Sequence, residues 1–431
     1  MPFVPQPLPI HTFLDDIQQA LAHQRGLVLQ AEPGAGKSTV IPLALLSAHW
    51  LDGKKIIMLE PRRVAAKSIA HYLARQLGEE VGERVGYHVK NDRKIGKNTQ
   101  LEIVTEGMLT RRLQADPEIS DVGLIIFDEF HERSLQADLG LMLALEVQQT
   151  LRDDLRLLVM SATIDTQFIA AYLGGGWGDK VESVAVIECP GRAFPVTVSY
   201  LEGKFYRLSD YVLSALHKVL GDEEQGDVLV FLPGQGDINR CLEGAKNTWG
   251  DSAGLVFLPL FGGLSMAQQE QAIQPDTQGR RRVVFTTNIA ETSLTIEGVC
   301  WVIDSGLEKR IQYDPTSGMT RLETVSISKA SAEQRKGRAG RLQAGQCVRL
   351  WSETKQAGLI EFQPEEITTA ELASLVLELY AWGQTDYART PWLTAPPLGH
   401  YQTAVALLRS LGLIRGDLVK DRDSSNEGDS G

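Results

Sequence analysis

The stretch LVLQAEPGAGKST, at positions 27–39, constrains the fold more than any other part of the chain. An apolar strand ending at Ala31 leads through a glycine-rich turn into a helix predicted to begin near Lys37. Gly34 and Gly36, with Ala35 between them, let the backbone curl around phosphate oxygens, and the helix start directs unpaired amides at the same point. Lys37 then reaches the outer phosphates and Ser38 offers its hydroxyl to Mg²⁺. Gly34, Ala35, Gly36, Lys37, Ser38 and Thr39 are therefore the expected nucleotide contacts. The usual pattern begins with glycine where this chain has Ala31, so an accidental glycine-rich turn competes with the nucleotide site until other signals are weighed.

Short apolar runs followed by longer helical patterns recur through the first half. Runs at 27–31, 56–59, 101–104, 124–127 and 157–160 have strand length. Such alternation needs crossover connections and reads as a mostly parallel sheet with helices on both faces. The pattern pauses at GGGWGDK (174–180) and resumes through ECPGRAFPV (188–196), with further runs at 228–232, 255–259, 282–286 and 299–303. We expect an α/β chain with one domain over 1–190, a second over 191–355, and a cleft between them. From 356 to 418 the pattern is helical, with Leu372, Leu375, Val376 and Leu379 on one apolar face. The polar segment 419–431 has no apolar side to bury and reads as a disordered tail.

The chain has 431 residues, enough for two or three cores without metal or disulfide staples. Its four cysteines are far apart, which argues against a zinc or disulfide framework. No apolar run reaches bilayer length and the N-terminus lacks the features of a signal peptide, so no membrane role and a cytoplasmic location are expected. The net charge of -12 alone disfavours a polyanionic partner, yet the average hides local basic segments. Positions 60–112 carry 11 basic against 7 acidic side chains and 305–349 carry 9 against 4, whereas 361–431 carry 5 against 11. A protein that holds a polyanion in a confined channel needs positive charge only there.

LIIFDEFH (124–131) places Asp128 and Glu129 at the carboxyl end of a buried strand, where ligands of open α/β sheets bind. Asp128 can hold Mg²⁺ through water, and Glu129 can orient and deprotonate an attacking water. His131 is either a local packing residue or a link towards VMSAT (159–163), where Ser161 and Thr163 could bridge to the acidic segment and sense phosphate. In SAEQRKGRAGR (331–341), helical spacing puts Gln334, Arg338 and Arg341 on one face. Facing a triphosphate, that helix would bring Gln334 near the lytic water and two guanidiniums against developing charge. Gly337 and Gly340 weaken a free helix and suggest close packing or a tight approach to ligand.

Taken in order, AEPGAGKST, LEPRRVAA, VTEGMLTR, DEFHER, SAT, LVFLPGQGDI, TTNIAETSLTI and QRKGRAGR resemble the superfamily 2 helicases of the DEAH/RHA group. DEFHERS, LELYAWG and LTAPP resemble the bacterial HrpB-like branch in particular, over positions 14–413. The third box residue is Phe130 where the group has Ala, which leaves the acids intact. The resemblance implies two tandem RecA-like P-loop NTPase domains and, after them, a partial winged-helix-like helical region. It implies Mg²⁺-ATP as substrate and cofactor, with other nucleoside triphosphates tolerated, and 3′ to 5′ movement on single-stranded RNA or a tailed duplex by a monomer. Lys37, Ser38 and Asp128 would hold phosphate and metal, Glu129 the water, and Gln334, Arg338 and Arg341 the γ-phosphate across the cleft. Nucleic-acid contacts would come from Arg62, Arg63, Thr105, Glu106, Gly107, Thr287 and Asn288, and a β-hairpin would follow Gly306 with its turn at 315–318. Hydroxyls and amides on phosphates track a backbone without reading bases, so little sequence specificity is expected. The residues themselves do not separate RNA from DNA. Relatives of this branch continue through further helical and oligonucleotide-binding-type domains, so the chain is expected to carry the hydrolytic parts without a roofed channel.

Overall fold

The computed structural model describes residues 8–32, 34–163, 165–175, 183–191, 194–201, 203, 206–222, 226–250, 254–291, 296–315 and 317–415. Its first lobe is an eight-stranded sheet formed by β1 (Gly26–Ala31), β2 (Lys55–Glu60), β3 (Val85–Val89), β4 (Asp92–Lys94), β5 (Leu101–Thr105), β6 (Val122–Phe127), β7 (Arg156–Ser161) and β8 (Ala185–Cys189). The strand order is β4-β3-β5-β2-β6-β7-β1-β8. All neighbours are parallel except β3 and β4, which run antiparallel at the edge. Every residue of β6 is buried, as the unbroken apolar run demands of a strand covered on both faces.

The order of strands decides what meets at the carboxyl edge. β5, β2, β6, β7 and β1 are consecutive neighbours. The segments after them, carrying Thr105, Arg62, the Asp128–Glu129 pair, Thr163 and the glycine turn, therefore emerge side by side although they are scattered along the chain.

The second lobe contains β9 (Val196–Tyr200), β10 (Asp227–Phe231), β11 (Leu255–Leu260), β12 (Arg281–Thr286) and β13 (Val299–Asp304), then the antiparallel pair β14 (Leu307–Asp314) and β15 (Met319–Ser326), and last β16 (Gly345–Arg349). The six-stranded sheet is parallel throughout, in the order β11-β12-β10-β13-β16-β9. The apolar runs read from the sequence all fall on strands. β3, β4, β8, β9 and β16 were not anticipated. β4 and β8 are sheet edges, and only one of the five residues of β8 is buried, so neither carries the long apolar signature of a central strand.

The segment after Leu350 holds the helices Glu353–Ala357, Glu366–Thr369, Ala373–Trp382 and Leu398–Ser410, as its helical pattern predicts, with no strand among the described residues. It packs on the first lobe. Leu372, Leu375, Val376 and Leu379, together with Tyr401 and Leu408, share one buried cluster with Leu109, Leu113, Leu141 and Tyr172 of the first lobe. The apolar stripe joins the same cluster as the helices Glu106–Ala115 and Leu135–Thr150, the second of which is buried without a break from Ala137 to Leu145. Trp382 Nε1 donates to Glu146 Oε2 at 3.0 Å and Tyr172 Oη to the Pro391 carbonyl at 2.8 Å. The proposed tail at 419–431 and position 316 in the hairpin turn lie outside the described residues.

Candidate active site

The helix Lys37–Leu45 starts directly after Gly36, whose φ of +94° is open to glycine but strained for a side chain. A Cβ there would also come within 2.7 Å of Leu8 Cδ1, so the preceding segment closes over the turn. This geometry leaves the first amides of the helix directed at the carboxyl edge of β1. Lys37, at the helix start, is buried and its Nζ lies 3.0 Å from Glu129 Oε2 and 3.7 Å from Asp128 Oδ1. Ser38 Oγ donates to Asp128 Oδ2. The phosphate turn and the acidic pair, 90 positions apart, thus form one cluster.

β6 ends in a turn that aims its acids differently. Asp128 accepts the Glu129 amide at 2.8 Å and faces Ser38, while Glu129 adopts a left-handed backbone with φ of +51° and turns towards Lys37. Burial works to raise the Glu129 pKa, but Lys37, His131 and Arg338 outweigh it and hold the carboxyl well below its ordinary range. Burial pushes Asp128 up, against the pull of Lys37. For Lys37, burial works downward, and the charges of Glu129 and Asp128 hold its ammonium above the ordinary value. Glu129 is thus an ionised acceptor, and Ser38 with Asp128 forms an oxygen donor set suited to a hard divalent cation.

Sequence reasoning passed over Glu60. This last residue of β2 is fully buried beside the cluster, and burial followed by the charges of Asp128 and Glu129 pushes its pKa well up. Its neutral form avoids a third negative charge near a single ammonium. The available signal was an acid closing the apolar strand KIIMLE.

On the facing lobe the helical spacing runs past the end of the α-helix. The helix Lys329–Lys336 ends before Gly337, and Arg338 and Arg341 lie in the turns that follow. Arg338 N–H donates to the Arg335 carbonyl and Ala339 N–H to that of Lys336, each at 3.1 Å, so successive tight turns following the α-helix place them. Gly340 is required by close packing, since a Cβ would meet the Phe194 carbonyl oxygen at 2.6 Å, whereas at Gly337 the nearest atoms are 3.4 Å away. Arg338 is buried and donates through Nε to the Glu291 carbonyl at 2.8 Å. Burial lowers its pKa, Arg341 adds to that effect, and Glu129 opposes it across the cleft. Burial brings Arg341 down to about 10, again against Glu129. Arg335, not singled out in the sequence, is the anchor of this wall: its guanidinium bonds Glu291 Oε2 at 2.9 Å and Asp304 Oδ1 at 3.0 Å.

The two lobes touch directly at the site. Gln334 Nε2 donates to Thr163 Oγ1 at 3.2 Å. Thr163 therefore reaches the second lobe, from the end of β7, which lies between β1 and β6. Ser161 is buried beneath, with no hydrogen-bond partner for its hydroxyl. His131 lies with Nδ1 3.5 Å from Glu129 Oε2, burial lowers its pKa, and the turn Phe130–Glu132 that carries it packs against β7.

The residues expected to meet nucleic acid divide into two groups. Arg62 bridges the cleft, donating to the Asn288 carbonyl at 3.0 Å and to Glu132 Oε1 at 3.2 Å, while Arg63 is exposed. Thr105 is half-buried and begins the helix Glu106–Ala115, and Gly107 is half-buried on it. Glu106 is turned inward to accept from Ser134 Oγ, so its carboxylate is engaged inside the lobe. Thr287 and Asn288 line a cavity of about 560 Å³ with Gly234, Gln235, Asn239 and Lys309. Gly234 and Gln235 lie within LVFLPGQGDI, while Asn239 and Lys309 fall outside it and were not singled out in the sequence.

Among known proteins, residues 15–171 match the DEAD/DEAH box helicase family and residues 211–343 match the helicase conserved C-terminal domain. ATP-dependent RNA helicase HrpB of Escherichia coli (strain K12) is 44% identical over 410 residues, which are 95% of this chain and 49% of that protein. The probable ATP-dependent RNA helicase DHX35 homolog of Caenorhabditis elegans is 36% identical over 417 residues, 94% of this chain and 56% of its own. A crystal structure of the Escherichia coli DEAH/RHA helicase HrpB superposes with a TM-score of 0.88 at 44% identity, covering 96% of this chain and 51% of that one. The chain spans about half the length of these relatives.

Proposed function

The chain belongs to the DEAD/DEAH box helicases, in the HrpB-like branch of the DEAH/RHA group, and from that premise we propose that it is an ATP-dependent RNA helicase that couples Mg²⁺-ATP hydrolysis to 3′ to 5′ movement along single-stranded RNA. The observation that carries the hydrolytic part is the meeting of Lys37, Asp128 and Glu129 with the field of Arg338 and Arg341 from the facing lobe. The turn amides and Lys37 bind the triphosphate, and Ser38 and Asp128 hold the metal. Mg²⁺, when bound, neutralises charge on the phosphate oxygens. Phosphate competes with Glu129 for the Lys37 ammonium, so substrate binding frees the carboxylate and raises its basicity as it takes a hydrogen bond from water. Gln334 helps place that water, and Arg338 and Arg341 stabilise the charge that develops.

Movement follows from the division of the site. With triphosphate present, the second lobe is drawn to the first; after hydrolysis the attraction weakens and the cleft can open. Thr105 and Gly107 on one lobe, and Thr287 and Asn288 on the other, hold different phosphates of one strand, with Arg62 and Arg63 adding charge. Glu106 supports this surface from within the lobe.

Glu129→Gln keeps the size of the side chain and removes the base, so it should retain nucleotide binding and lose turnover by a factor on the order of 10² or more. Full turnover in that variant would overturn the assignment. Strand displacement from a 3′-tailed duplex, measured beside RNA-stimulated hydrolysis, tests the helicase step. Stimulated hydrolysis without displacement would leave a nucleoprotein-remodelling ATPase instead.

A further inference from the structure

The loop after β6 has a second anchor that the hydrolytic reading does not use. Glu129 and Arg133 both adopt left-handed backbones, with φ of +51° and +46°, and the single turn Phe130–Glu132 lies between them. Side chains rarely adopt this conformation unless their surroundings impose it. At Glu129, the ion pair with Lys37 is part of that imposition. At Arg133 the surroundings come largely from the C-terminal helical segment, more than 200 positions away.

The guanidinium of Arg133 is nearly buried and makes a two-pronged contact with Asp138, at 2.8 Å to each oxygen. It also donates to Thr394 Oγ1 at 2.8 Å and to Glu365 Oε1 at 3.5 Å. The backbone is gripped as well: the Arg133 carbonyl accepts the Glu366 amide at 3.2 Å, and Glu366 Oε2 accepts the Leu135 amide at 2.9 Å. Beneath the guanidinium lies the Phe130 ring, 5.9 Å away, which itself packs edge-on against Phe127 of β6. The turn between the two left-handed residues is therefore pinned at one end by Lys37 and at the other by Glu365, Glu366 and Thr394.

We propose that Arg133 is a positioning residue through which the C-terminal helical segment sets the placement of Glu129 at the hydrolytic centre. Asp138 alone fixes the guanidinium within the first lobe, but it leaves the loop backbone free to relax towards ordinary dihedrals. The contacts from 365, 366 and 394 remove that freedom, and the short turn carries the constraint to Glu129. Displacement of the C-terminal helices would then slow hydrolysis without removing any group that binds nucleotide. The inference rests on the reading of Glu129 as the residue that orients water.

The test uses the full chain and three variants: Glu365→Gln combined with Thr394→Val, Arg133→Lys, and Glu129→Gln. The double variant removes the C-terminal segment's hold on the guanidinium while leaving the first lobe and the two Glu366 contacts in place. Arg133→Lys keeps the charge and loses the planar fork. Both should lower kcat on the order of 10-fold with KM for ATP unchanged, because a small misplacement affects the reacting geometry and not substrate binding. A purely structural role would lower the fraction of folded protein and leave kcat per nucleotide-binding site untouched, and that result would overturn the proposal. So would a raised KM at unchanged kcat. Loss of turnover in Glu129→Gln with unaltered kcat in the other two would overturn the role of Arg133 alone. Retained turnover in Glu129→Gln would overturn the reading of the site and the inference with it.

Discussion

The two walls of the cleft hold their charges by opposite means. On the first, one ammonium, Lys37, faces two carboxylates, and the adjacent Glu60 is driven towards its neutral acid. That wall keeps a surplus of acid even with Glu60 neutral. On the second, Arg335 is compensated by Glu291, Asp304 and Glu308, whereas burial and mutual repulsion depress the pKa of Arg338, and burial that of Arg341. The second wall contains one guanidinium paired with three carboxylates and two whose charge burial disfavours, Arg338 among them although it also bonds the Glu291 carbonyl. An anion in the cleft would relieve that strain, and a triphosphate held by the first wall is such an anion. Residues three positions apart in one motif thus have different duties.

Arg335→Ala should give the largest effect. It strands Glu291, Asp304 and Glu308 around a missing cation, and breaking a buried pair in this way costs about 3–5 kcal/mol. Urea unfolding followed by tryptophan fluorescence should show the second lobe, with its buried Trp301, melting early; an unchanged midpoint would erase the distinction drawn between the arginines. Arg338→Ala and Arg341→Ala should instead lower kcat on the order of 10² or more with little loss of stability. Wild-type turnover in either would remove that residue from the transition state.

Much of this contrast was legible in the chain, and the reasons for the remainder are physical. The glycine turn and the acidic pair each end an apolar strand, so strand periodicity and local chemistry agreed. Arg338 and Arg341 were singled out by helical spacing extended past Gly337, where the α-helix gives way to tighter turns. Glu106 looked like a surface contact, whereas its carboxylate turns inward to Ser134, a partner 28 positions away that no local pattern reveals. The C-terminal helices showed their apolar face clearly. Their partner did not appear, since an amphipathic stripe specifies that something covers it and not which lobe does.

Glu106 also offers a test of the first wall's surplus of acid. Burial raises its pKa to about 7, opposed by the Ser134 hydrogen bond and reinforced by Glu132, Glu366 and Asp138. Unfolded, the side chain ionises near 4.5, so between pH 4.5 and 7 the native chain binds more protons than the unfolded chain. Its contribution to stability is complete below that window and is lost as the pH rises through it. Glu106→Gln should flatten the fall in unfolding free energy over the window. The same slope in both proteins would show that the carboxyl is solvated in solution.

The smallest effect is expected at Lys336, and its smallness gives it value. It is adjacent to Arg335 and two positions before Arg338, yet its ammonium pairs with Glu333 on the same helix, where Glu333 is 52% exposed. A pair of this kind contributes roughly 0.3–0.5 kcal/mol, because water screens the charges and two long side chains must be held still. Glu333 also keeps Arg349 as a partner at 2.8 Å, so removal of the lysine strands no buried charge. Lys336→Ala should therefore leave kcat, KM for ATP and the unfolding midpoint close to wild type. A loss of turnover approaching that of Arg338→Ala would mean that total positive charge on this wall governs hydrolysis. The division into one anchored arginine and two that serve the anion would then have to be abandoned, since charge number rather than placement would account for all four substitutions.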